Sequence, residues 1–400
     1  MPSTCPDRLD NGTLPGKFCT APISERTFMH RVCISSTGLY VPPEVISNAE
    51  LVASFNQFAD LDNAAHATEI AAGTHTAVPY SSVEFILKAS GIQQRHVVEK
   101  SGVLDPTRMH PRLRIRPDSE VSLMAELSLA AARDALARAG KQASDVDGVI
   151  CAAANMQRAY PALAVEIQSA LGIQGFGFDM NVACSSATFG IEMAVNAVKC
   201  GTARAVLVVN PEITSPHLAW KDRDCHFIFG DVCTAILIER LDHAPAGAFE
   251  VLGTQLLTSF SNNIRNNAGY MARSEDRNPD DRDMLFYQEG RKVFKEVCPM
   301  AAEHISGHLK KLGLAPGEVR RFWLHQANLA MNQLISRKLL GRDATADDAP
   351  VILNEFANTA SAGSIIAFHR HHDDIKAGDV GVICSFGAGY SIGSAVVRRT

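Results

Sequence analysis

The chain has 400 residues, of which 46% are hydrophobic and 20% charged, and its formal net charge is −5. This composition is ordinary for a globular protein with a large core, and the acidic balance argues against a protein that grips nucleic acid over a broad basic face. No apolar run reaches the length that spans a membrane. The ten cysteines are scattered and the first 28 residues resemble no secretory signal, so we expect reduced thiols and a cytoplasmic location.

The N-terminal part of the chain mixes irregular and periodic segments. Residues 1–28 are rich in Pro, Ser, Thr and Gly with little periodicity, and we predict a flexible extension there. A first strand is predicted at 31–38. Residues 56–82 are rich in Ala, Asn, Thr and His, and the pattern alone gives them no role. Residues 104–118 are basic and interrupted by proline, as is typical of a surface loop.

Strands and helices then alternate along the chain. A long helix is predicted from Asp118 through Ala139, because the apolar face is continuous and Gly140 ends it. Further apolar strands are predicted at 148–154, 203–210 and 233–239, with a helix at 161–171. Alternation of this kind indicates an α/β fold with largely buried sheets.

One cysteine lies where a strand turns sharply into a helix. The apolar residues from Phe178 lead through small residues to Cys184, and a helical period begins near Gly190. Small neighbours leave the thiol reachable, and a helix N-terminus favours the reactive thiolate. Taken alone, the stretch also fits an inert cysteine packed between a strand and a helix.

The second part of the chain repeats the first. Residues 140–155 align without a gap to 313–328, and Phe229-Gly230 is echoed by Phe386-Gly387 at a similar spacing. We therefore predict a duplicated α/β unit with halves at 29–247 and 248–400, packed around a site between them.

Three more segments place small residues around a group that can do chemistry. They are Leu324-His325-Gln326-Ala327-Asn328, the run from Phe356 to Ser364 that contains Asn358, and the glycine-rich turn from Ser385 to Tyr390. With Cys184 they would supply a thiolate, an imidazole, an amide donor and backbone N–H groups. These are the parts that acyl transfer through a thioester requires.

These motifs resemble the β-ketoacyl-[acyl-carrier-protein] synthase III family of thiolase-fold condensing enzymes. The resemblance rests on Val-Ala-Cys184-Ser-Ser, His325-Gln-Ala-Asn and Ala-Asn358-Thr-Ala-Ser-Ala-Gly-Ser, and it extends from about residue 30 to the C-terminus. It implies a thiolase-like, duplicated, five-layered α-β-α-β-α fold and a homodimer. It also implies that the substrates are an acyl-CoA and malonyl-acyl carrier protein, and that no metal or organic cofactor is needed.

The resemblance also implies residue roles. Cys184 would attack an acyl thioester and carry the acyl group, and the backbone N–H groups of Cys184 and Ala388 would hold the oxyanion. His325 and Asn358 would stabilise the enolate that forms when malonyl loses CO2. The same matching assigns substrate binding to Phe85, Tyr160, Arg223, Phe229, Gly230, Asn328, Gly387 and Gly389, with Tyr160 reaching toward the partner subunit's acyl pocket.

Several positions depart from the family's usual pattern. Phe85 and Ala89 stand where a Trp and an Arg often hold the coenzyme A end, and Ala330 replaces an Arg that helps to dock the carrier protein. Arg291 and its basic neighbours could replace that docking group, or could simply form a solvated helix face. Residues 56–82 are interpreted as an insertion relative to the usual chain.

We therefore expect an acyltransferase that condenses an acyl-CoA primer, of medium chain length, with malonyl-acyl carrier protein. An alternative is a head-to-head condensing or acyl-transfer enzyme of secondary metabolism, which would need a base such as Glu166 or Glu192. A catalytically inactive partner subunit and a cysteine hydrolase are further alternatives. The run His369–His372 is not expected to bind metal, because consecutive helical side chains point in different directions.

Overall fold

A computed structural model describes residues 29–269, 271, 278 and 281–400, so the predicted extension at 1–28 lies outside the described residues. The first part of the chain forms β1 (Val32–Tyr40), β2 (Glu44–Ser47), α1 (Asn48–Ala65), α2 (Ala67–Ala71), α3 (Val83–Ser90), β3 (Gln94–Val97), α4 (Leu123–Ala139), β4 (Gly148–Ala152), α5 (Leu163–Leu171), β5 (Phe176–Met180), α6 (Ser186–Lys199), β6 (Ala205–Glu212) and β7 (Val232–Arg240).

The second part forms β8 (Phe249–Ser261), β9 (Ile264–Arg265), β10 (Tyr287–Gln288), α7 (Gly290–Lys311), β11 (Val319–Leu324), α8 (Leu329–Leu340), α9 (Leu353–Phe356), α10 (Gly363–Arg370), β12 (Val380–Gly387) and β13 (Gly389–Arg399). The predicted division at residue 247 falls between β7 and β8.

A nine-stranded sheet in the order β11-β12-β13-β8-β1-β7-β6-β4-β5 organises both parts. β4 runs parallel to β6, which is antiparallel to β7, which is antiparallel to β1. The second part repeats this pattern, because β11 runs parallel to β12, which is antiparallel to β13, which is antiparallel to β8. β1 and β8 join the two sets through antiparallel pairing of Cys33 with Glu250.

The helices form three layers around these strands. α6 and α10 lie in the centre, where a cluster that includes Ile191, Ile366 and Val208 excludes water from both sets of strands. α4 and α5 cover the first set from outside, and α7 covers the second with α8 packed on it. Together with the strands this makes five layers, so the predicted α/β fold class is confirmed.

The long helix begins later than its sequence predicts. The expected start at Asp118 is wrong, and α4 begins at Leu123. Residues before it belong to a loop, where the Ser122 N–H and hydroxyl donate to Glu166 at 2.7 and 2.8 Å. The helix ends as predicted, because Gly140 adopts a left-handed φ of 64°.

Residues 56–82 comprise the end of α1, all of α2 and a segment from about residue 73 that returns alongside α1. The Asn63 side chain accepts from the Val78 N–H at 2.8 Å and donates to the Val78 carbonyl at 3.0 Å. Asn56 makes the same pair of contacts with Ser81, at 2.8 and 3.1 Å. Two asparagine side chains of α1 thus hold the returning chain with paired hydrogen bonds to its backbone, as a neighbouring strand would. In the described part of the molecule, no helix is long and apolar enough to cross a membrane.

Because several buried histidines are neutral in the folded protein, we expect the free energy of unfolding to fall in acid. Burial lowers the pKa of His226 and His325 to about 3 and that of His308 to about 4. Because these values lie below the ordinary imidazole pKa of about 6.5, the unfolded chain takes up protons first as the pH falls below 6.5. Each such group then lowers the free energy of unfolding by up to about 1.4 kcal/mol per pH unit.

Chemical denaturation between pH 7.5 and pH 4.5 checks this expectation. We expect His308→Gln to flatten the decline, because an amide can still bond to the Ser394 hydroxyl, 2.7 Å from His308 Nδ1, and cannot titrate. A free energy of unfolding that stays constant between pH 6.5 and pH 4.5 would contradict it.

Candidate active site

Cys184 lies in a single 3-10 turn, Ala183–Ser185, between β5 and α6. The turn is held from both sides, because the Ala183 N–H donates to the Asn181 side chain at 2.9 Å and the Ser186 hydroxyl donates to the Ala183 carbonyl at 2.7 Å. Cys184 is half-buried at the head of α6. The predicted arrangement of strand, turn and helix is therefore present.

Strained backbone marks the same region. Ala183, Ala357 and Ala360 have φ values of 47°, 58° and 46°, in the left-handed region that side chains other than glycine rarely adopt. One of them precedes Cys184, and the other two flank Asn358 and Thr359. Strain of this kind costs about 1–3 kcal/mol per residue and persists only where the surrounding structure imposes it.

The end of β12 packs directly against the cysteine. A side chain at Gly387 would place its Cβ 2.5 Å from the Cys184 Cβ and 3.1 Å from its Sγ, so only glycine fits. The backbone of Ala388 and that of Cys184 itself both favour the thiolate by hydrogen bonding. The structure therefore brings together the two backbone groups that were predicted to form the oxyanion hole.

His325 is buried at the end of β11, beside the same strand. The backbone N–H of His325 donates to the Cys384 carbonyl at 2.8 Å. The imidazole ring packs edge-on against the Phe386 ring, with centroids 5.1 Å apart. Burial lowers the pKa of His325 to about 3, with the backbone of Ala360 acting in the opposite direction. The imidazole is thus neutral at physiological pH, and its Nδ1 has no hydrogen-bond partner among the described residues.

Asn358 is oriented so that its amide NH2 remains available. Its side-chain oxygen accepts from the Ala360 N–H at 2.9 Å. Its backbone bridges to Phe229, donating to Ile228 at 3.0 Å and accepting from Gly230 at 3.1 Å. Phe229 and Gly230 therefore act through the backbone that places Asn358, and a Cβ on Gly230 would lie 2.5 Å from the Phe356 carbonyl oxygen.

The electrostatic setting of the thiol differs from the sequence-based expectation. The helix N-terminus was expected to favour the thiolate. Instead, burial raises the pKa of Cys184 to about 12, and the charge of Glu212 adds to this effect. The N–H groups of Ala388 and Cys184 oppose it without cancelling it. The local motif pointed to Cys184 as the candidate nucleophile but could not show the desolvation that raises the pKa of its thiol.

Glu212, the last residue of β6, was not singled out from the sequence. Its side chain is 1% exposed and accepts hydrogen bonds from Ala154 and Ser361. The only sequence signal is an acid at the end of a largely apolar strand. Of the two acids considered as bases, Glu166 accepts from Ser122 and Arg158. One oxygen of Glu192 accepts from Asn196, and the other is buried with no hydrogen-bond partner among the described residues.

Three of the predicted substrate-binding residues lie together on α3, α8 and the chain before β7. The Arg223 guanidinium stacks over the Phe85 ring at 3.7 Å and donates to the Tyr80 carbonyl at 2.7 Å. Asn328 caps α8 and donates to the Ala89 carbonyl at 2.6 Å. Both ends of the Asn328 amide are therefore used within the protein, and the residue ties α8 to α3.

Tyr160 lies apart from that group, on the exposed side of the molecule. It is 85% exposed and lines a cavity of about 1280 Å³ between the loops near residues 113–123 and 266–269. Asn181, which braces the Cys184 turn, lines the same cavity. A smaller cavity of about 490 Å³ is lined by Ala183, Ala388 and Gly389, so it lies directly beside Cys184.

One cluster of metal-ligand side chains occurs in the described part of the chain, on the segment 56–82. Asp62 Oδ2 lies 3.5 Å from His66 Nδ1 and 3.4 Å from His75 Nε2. The two imidazole rings stack with centroids 4.1 Å apart and planes within 11°. Rings stacked face to face cannot both direct their in-plane lone pairs at one ion, so we interpret the cluster as part of the local packing.

Comparison with known proteins identifies the family. Profiles for 3-oxoacyl-[acyl-carrier-protein] synthase III and for its C-terminal region match residues 178–258 and 309–399. A curated relative from Pseudomonas aeruginosa, beta-ketodecanoyl-[acyl-carrier-protein] synthase, is 59% identical over 347 residues, which cover 86% of this chain and 99% of the relative.

Solved structures agree on the fold. The 3-oxoacyl-[acyl-carrier-protein] synthase III of Aquifex aeolicus matches with a TM-score of 0.72 and 23% identity, covering 92% of this chain and 99% of that one. A tetronic acid condensing enzyme, AbyA1, matches almost as well, with a TM-score of 0.71, 18% identity and coverage of 92% and 99%. The fold is thus that of the thiolase-like condensing enzymes, and backbone similarity does not separate their reactions.

The protein is therefore a thiolase-fold condensing acyltransferase. On the strength of the sequence match, the chain belongs to the β-ketoacyl-[acyl-carrier-protein] synthase III family.

The contact between Gly387 and Cys184 generates a direct test. We expect Gly387→Ala to slow alkylation of Cys184 by about 100-fold, because the added methyl must displace the thiol from the oxyanion-hole N–H groups. Gly307→Ala is the matched control, since Gly307 lies in α7 with no atom within 4 Å of an added Cβ. Mass spectrometry after timed exposure to iodoacetamide measures both. Equal alkylation rates in the two variants would show that the contact is unimportant.

Proposed function

We propose that the protein loads a medium-chain acyl group, near eight carbons long, from acyl-CoA and extends it with malonyl-acyl carrier protein. The observation that carries this proposal is the 59% identity to a beta-ketodecanoyl synthase. A ten-carbon 3-oxo product follows from an eight-carbon primer, because each condensation adds two carbons. We place this chemistry in the reducing cytoplasm, since the eight cysteines in the described part of the chain are all free.

The first half-reaction is transfer of the acyl group to Cys184. The thiol loses its proton and sulfur attacks the thioester carbonyl, while the N–H groups of Cys184 and Ala388 receive the developing oxyanion. Collapse of the tetrahedral intermediate expels coenzyme A as its thiol and leaves an acyl-cysteine. Burial raises the pKa of Cys184, so the free thiol is protonated at neutral pH and must give up its proton in this step.

The second half-reaction forms the carbon–carbon bond. Malonyl thioester loses CO2, and the electron pair left behind gives an enolate whose oxygen needs hydrogen-bond donors. The free amide NH2 of Asn358 and the neutral imidazole of His325 are suited to this role, since the low pKa of His325 keeps it uncharged. The enolate carbon then attacks the acyl-cysteine carbonyl, which releases the Cys184 thiolate and 3-oxoacyl-acyl carrier protein.

The stacked pair of Arg223 and Phe85 is suited to binding the adenine of coenzyme A. The guanidinium of Arg223 and the ring of Phe85 present flat faces, on which a purine can stack. This pair would replace the missing tryptophan of the family's usual pattern. Ala89 cannot replace the phosphate contact of the missing arginine. We therefore propose that coenzyme A binding beside Phe85 relies on stacking more than on charge.

We also propose a homodimer formed through β5. This strand is the edge of the nine-stranded sheet, and an unpaired edge is a template for another strand. Around it lie exposed apolar side chains, with Phe178 39%, Val165 45% and Tyr160 85% exposed. Phe178 stacks on Phe176, with ring centroids 6.4 Å apart. Pairing of two β5 strands would cover this patch and place each Tyr160 near the partner's cavity.

A head-to-head condensation is less well supported by the site. That reaction needs a base for an unactivated α-carbon. Glu212 is a carboxylate whose charge reaches Cys184, and burial raises its pKa to about 7. Its oxygens, however, are enclosed by hydrogen bonds from Ala154 and Ser361. A carboxylate held in this way is not aimed at a substrate carbon.

Primer selectivity tests the proposal. We expect condensation with malonyl-acyl carrier protein to peak near octanoyl-CoA when primers of two to about twelve carbons are compared. Cys184→Ala should abolish the product, while Asn358→Ala should still accept the acyl group and lose extension by about 100-fold. Mass spectrometry of the acyl-enzyme and of the carrier-protein product measures the two steps separately.

The alternatives predict other patterns in the same assay. A peak at acetyl-CoA would make the protein an initiating synthase, and acylation without extension would favour the acyl-transfer alternative. Release of free acid with no carbon–carbon product would indicate a hydrolase.

The dimer is tested by a charge at the sheet edge. We expect Phe178→Lys to convert a dimer into a monomer, because like charges would face each other across a paired β5 edge. Light scattering after size-exclusion chromatography gives the mass. Leu61→Lys is the control, since Leu61 is 52% exposed on α1, away from β5. A monomeric wild type, or a Phe178→Lys variant that stays dimeric, would contradict the proposal.

A further inference from the structure

Glu212 is a buried acid for which the proposed mechanism has no use. It ends β6 and is 1% exposed. Burial raises its pKa to about 7, and the nearby charge of Asp231 adds to the effect. A buried carboxylate is costly unless it is fully hydrogen-bonded, so its presence here calls for a physical reason.

The hydrogen bonds of Glu212 join the two halves of the active site. Its oxygens accept the Ala154 N–H at 3.0 and 3.1 Å, just after β4 in the first half. Oε1 also accepts the Ser361 N–H at 3.2 Å and the Ser361 hydroxyl, in the second half. Ser361 lies in the turn Ala360–Ala362 that follows Asn358. The carboxylate thus attaches the Asn358 segment to the half that carries the nucleophile.

The attached segment is held from outside at two places, at Asn358 by backbone hydrogen bonds with Ile228 and Gly230 and at Ser361 by Glu212. Ala357 and Ala360 are both in the left-handed region, and within the segment Asn358 is oriented by one side-chain contact, to the Ala360 N–H. A strained turn relaxes when the contacts that impose it are removed. Relaxation would move the Asn358 amide away from the position that an enolate oxygen occupies.

We propose that Glu212 is a positioning residue that clamps the Asn358 segment, so that it governs extension with malonyl thioester and has little effect on acyl loading. This inference rests on the roles proposed above for Cys184 and Asn358. Glu212 itself touches neither substrate, because its oxygens are occupied by Ala154 and Ser361.

The charge of Glu212 has a second, separable effect. It raises the pKa of Cys184, and it also acts on the buried thiols of Cys151 and Cys233. Asp231 is the acid that acts on Glu212 in turn. A neutral side chain at position 212 should therefore lower the pKa of Cys184, which a merely structural role for the hydrogen bonds would not predict.

Two variants separate reach from charge. Glu212→Asp keeps the charge and shortens the side chain, so it cannot span Ala154 and Ser361. Glu212→Gln keeps the length, removes the charge and loses one acceptor. Three quantities are measured for each variant. They are the rate of loading from octanoyl-CoA, the rate at which malonyl-acyl carrier protein extends the octanoyl-loaded enzyme, and the pH profile of Cys184 alkylation by iodoacetamide. Thermal melting followed by circular dichroism reports the fold.

We expect both variants to slow extension by about 10- to 100-fold and to change loading by less than about threefold, because misplacement affects only the donor to the enolate. Glu212→Gln should also move the alkylation profile to lower pH, and a shift of roughly half a pKa unit gives about threefold more thiolate. Glu212→Asp should leave that profile unchanged.

Three results would overturn the inference. The first is extension at the wild-type rate in either variant. The second is an equal loss of loading and extension together with a lower melting temperature, which would indicate general destabilisation. The third is an alkylation profile that does not move in Glu212→Gln, which would overturn the effect of the Glu212 charge on Cys184. If the wild-type protein itself extends no primer, the proposed function fails, and the alkylation profile still tests the charge.

Discussion

The structure depends on close contact between a turn from one half of the chain and a strand end from the other. Cys184 can lie against the backbone after β12 only because Gly387 has no side chain. β1 and β8 pair across the same boundary, and the central helices α6 and α10 fill the space between the two sets of strands. The apolar packing of the centre therefore sets the distance between Cys184 and the backbone N–H groups that face it.

Burial has opposite consequences for the groups in this site. It keeps His325 neutral, which suits a hydrogen-bond donor, and it makes the Cys184 thiolate harder to form. The backbone N–H groups of Ala388 and Cys184 partly offset the second effect. A site that excludes water strengthens every hydrogen bond offered to a developing charge, and the same exclusion disfavours the resting charge on sulfur.

Residue identity explains which features the sequence could predict. The motifs around Cys184, His325 and Asn358 are short and chemically specific, and the repeat between 140–155 and 313–328 led to a duplicated α/β fold, which the strand order shows. Long-range effects were not predictable. The raised pKa of Cys184 comes from burial and from Glu212, which joins Ala154 to Ser361 across much of the chain. The roles of Phe85 and Arg223 in binding coenzyme A, and of β5 in forming a homodimer, remain predictions.

Strained alanines at the site carry a further consequence for the whole protein. Ala183, Ala357 and Ala360 together hold roughly 3 to 9 kcal/mol of unfavourable backbone energy. That is a large share of the 5–15 kcal/mol by which a typical domain is stable. The strained alanines thus lower the free energy of unfolding while fixing the geometry of the site. Selection for heat tolerance would favour glycine at these positions, at the expense of turnover.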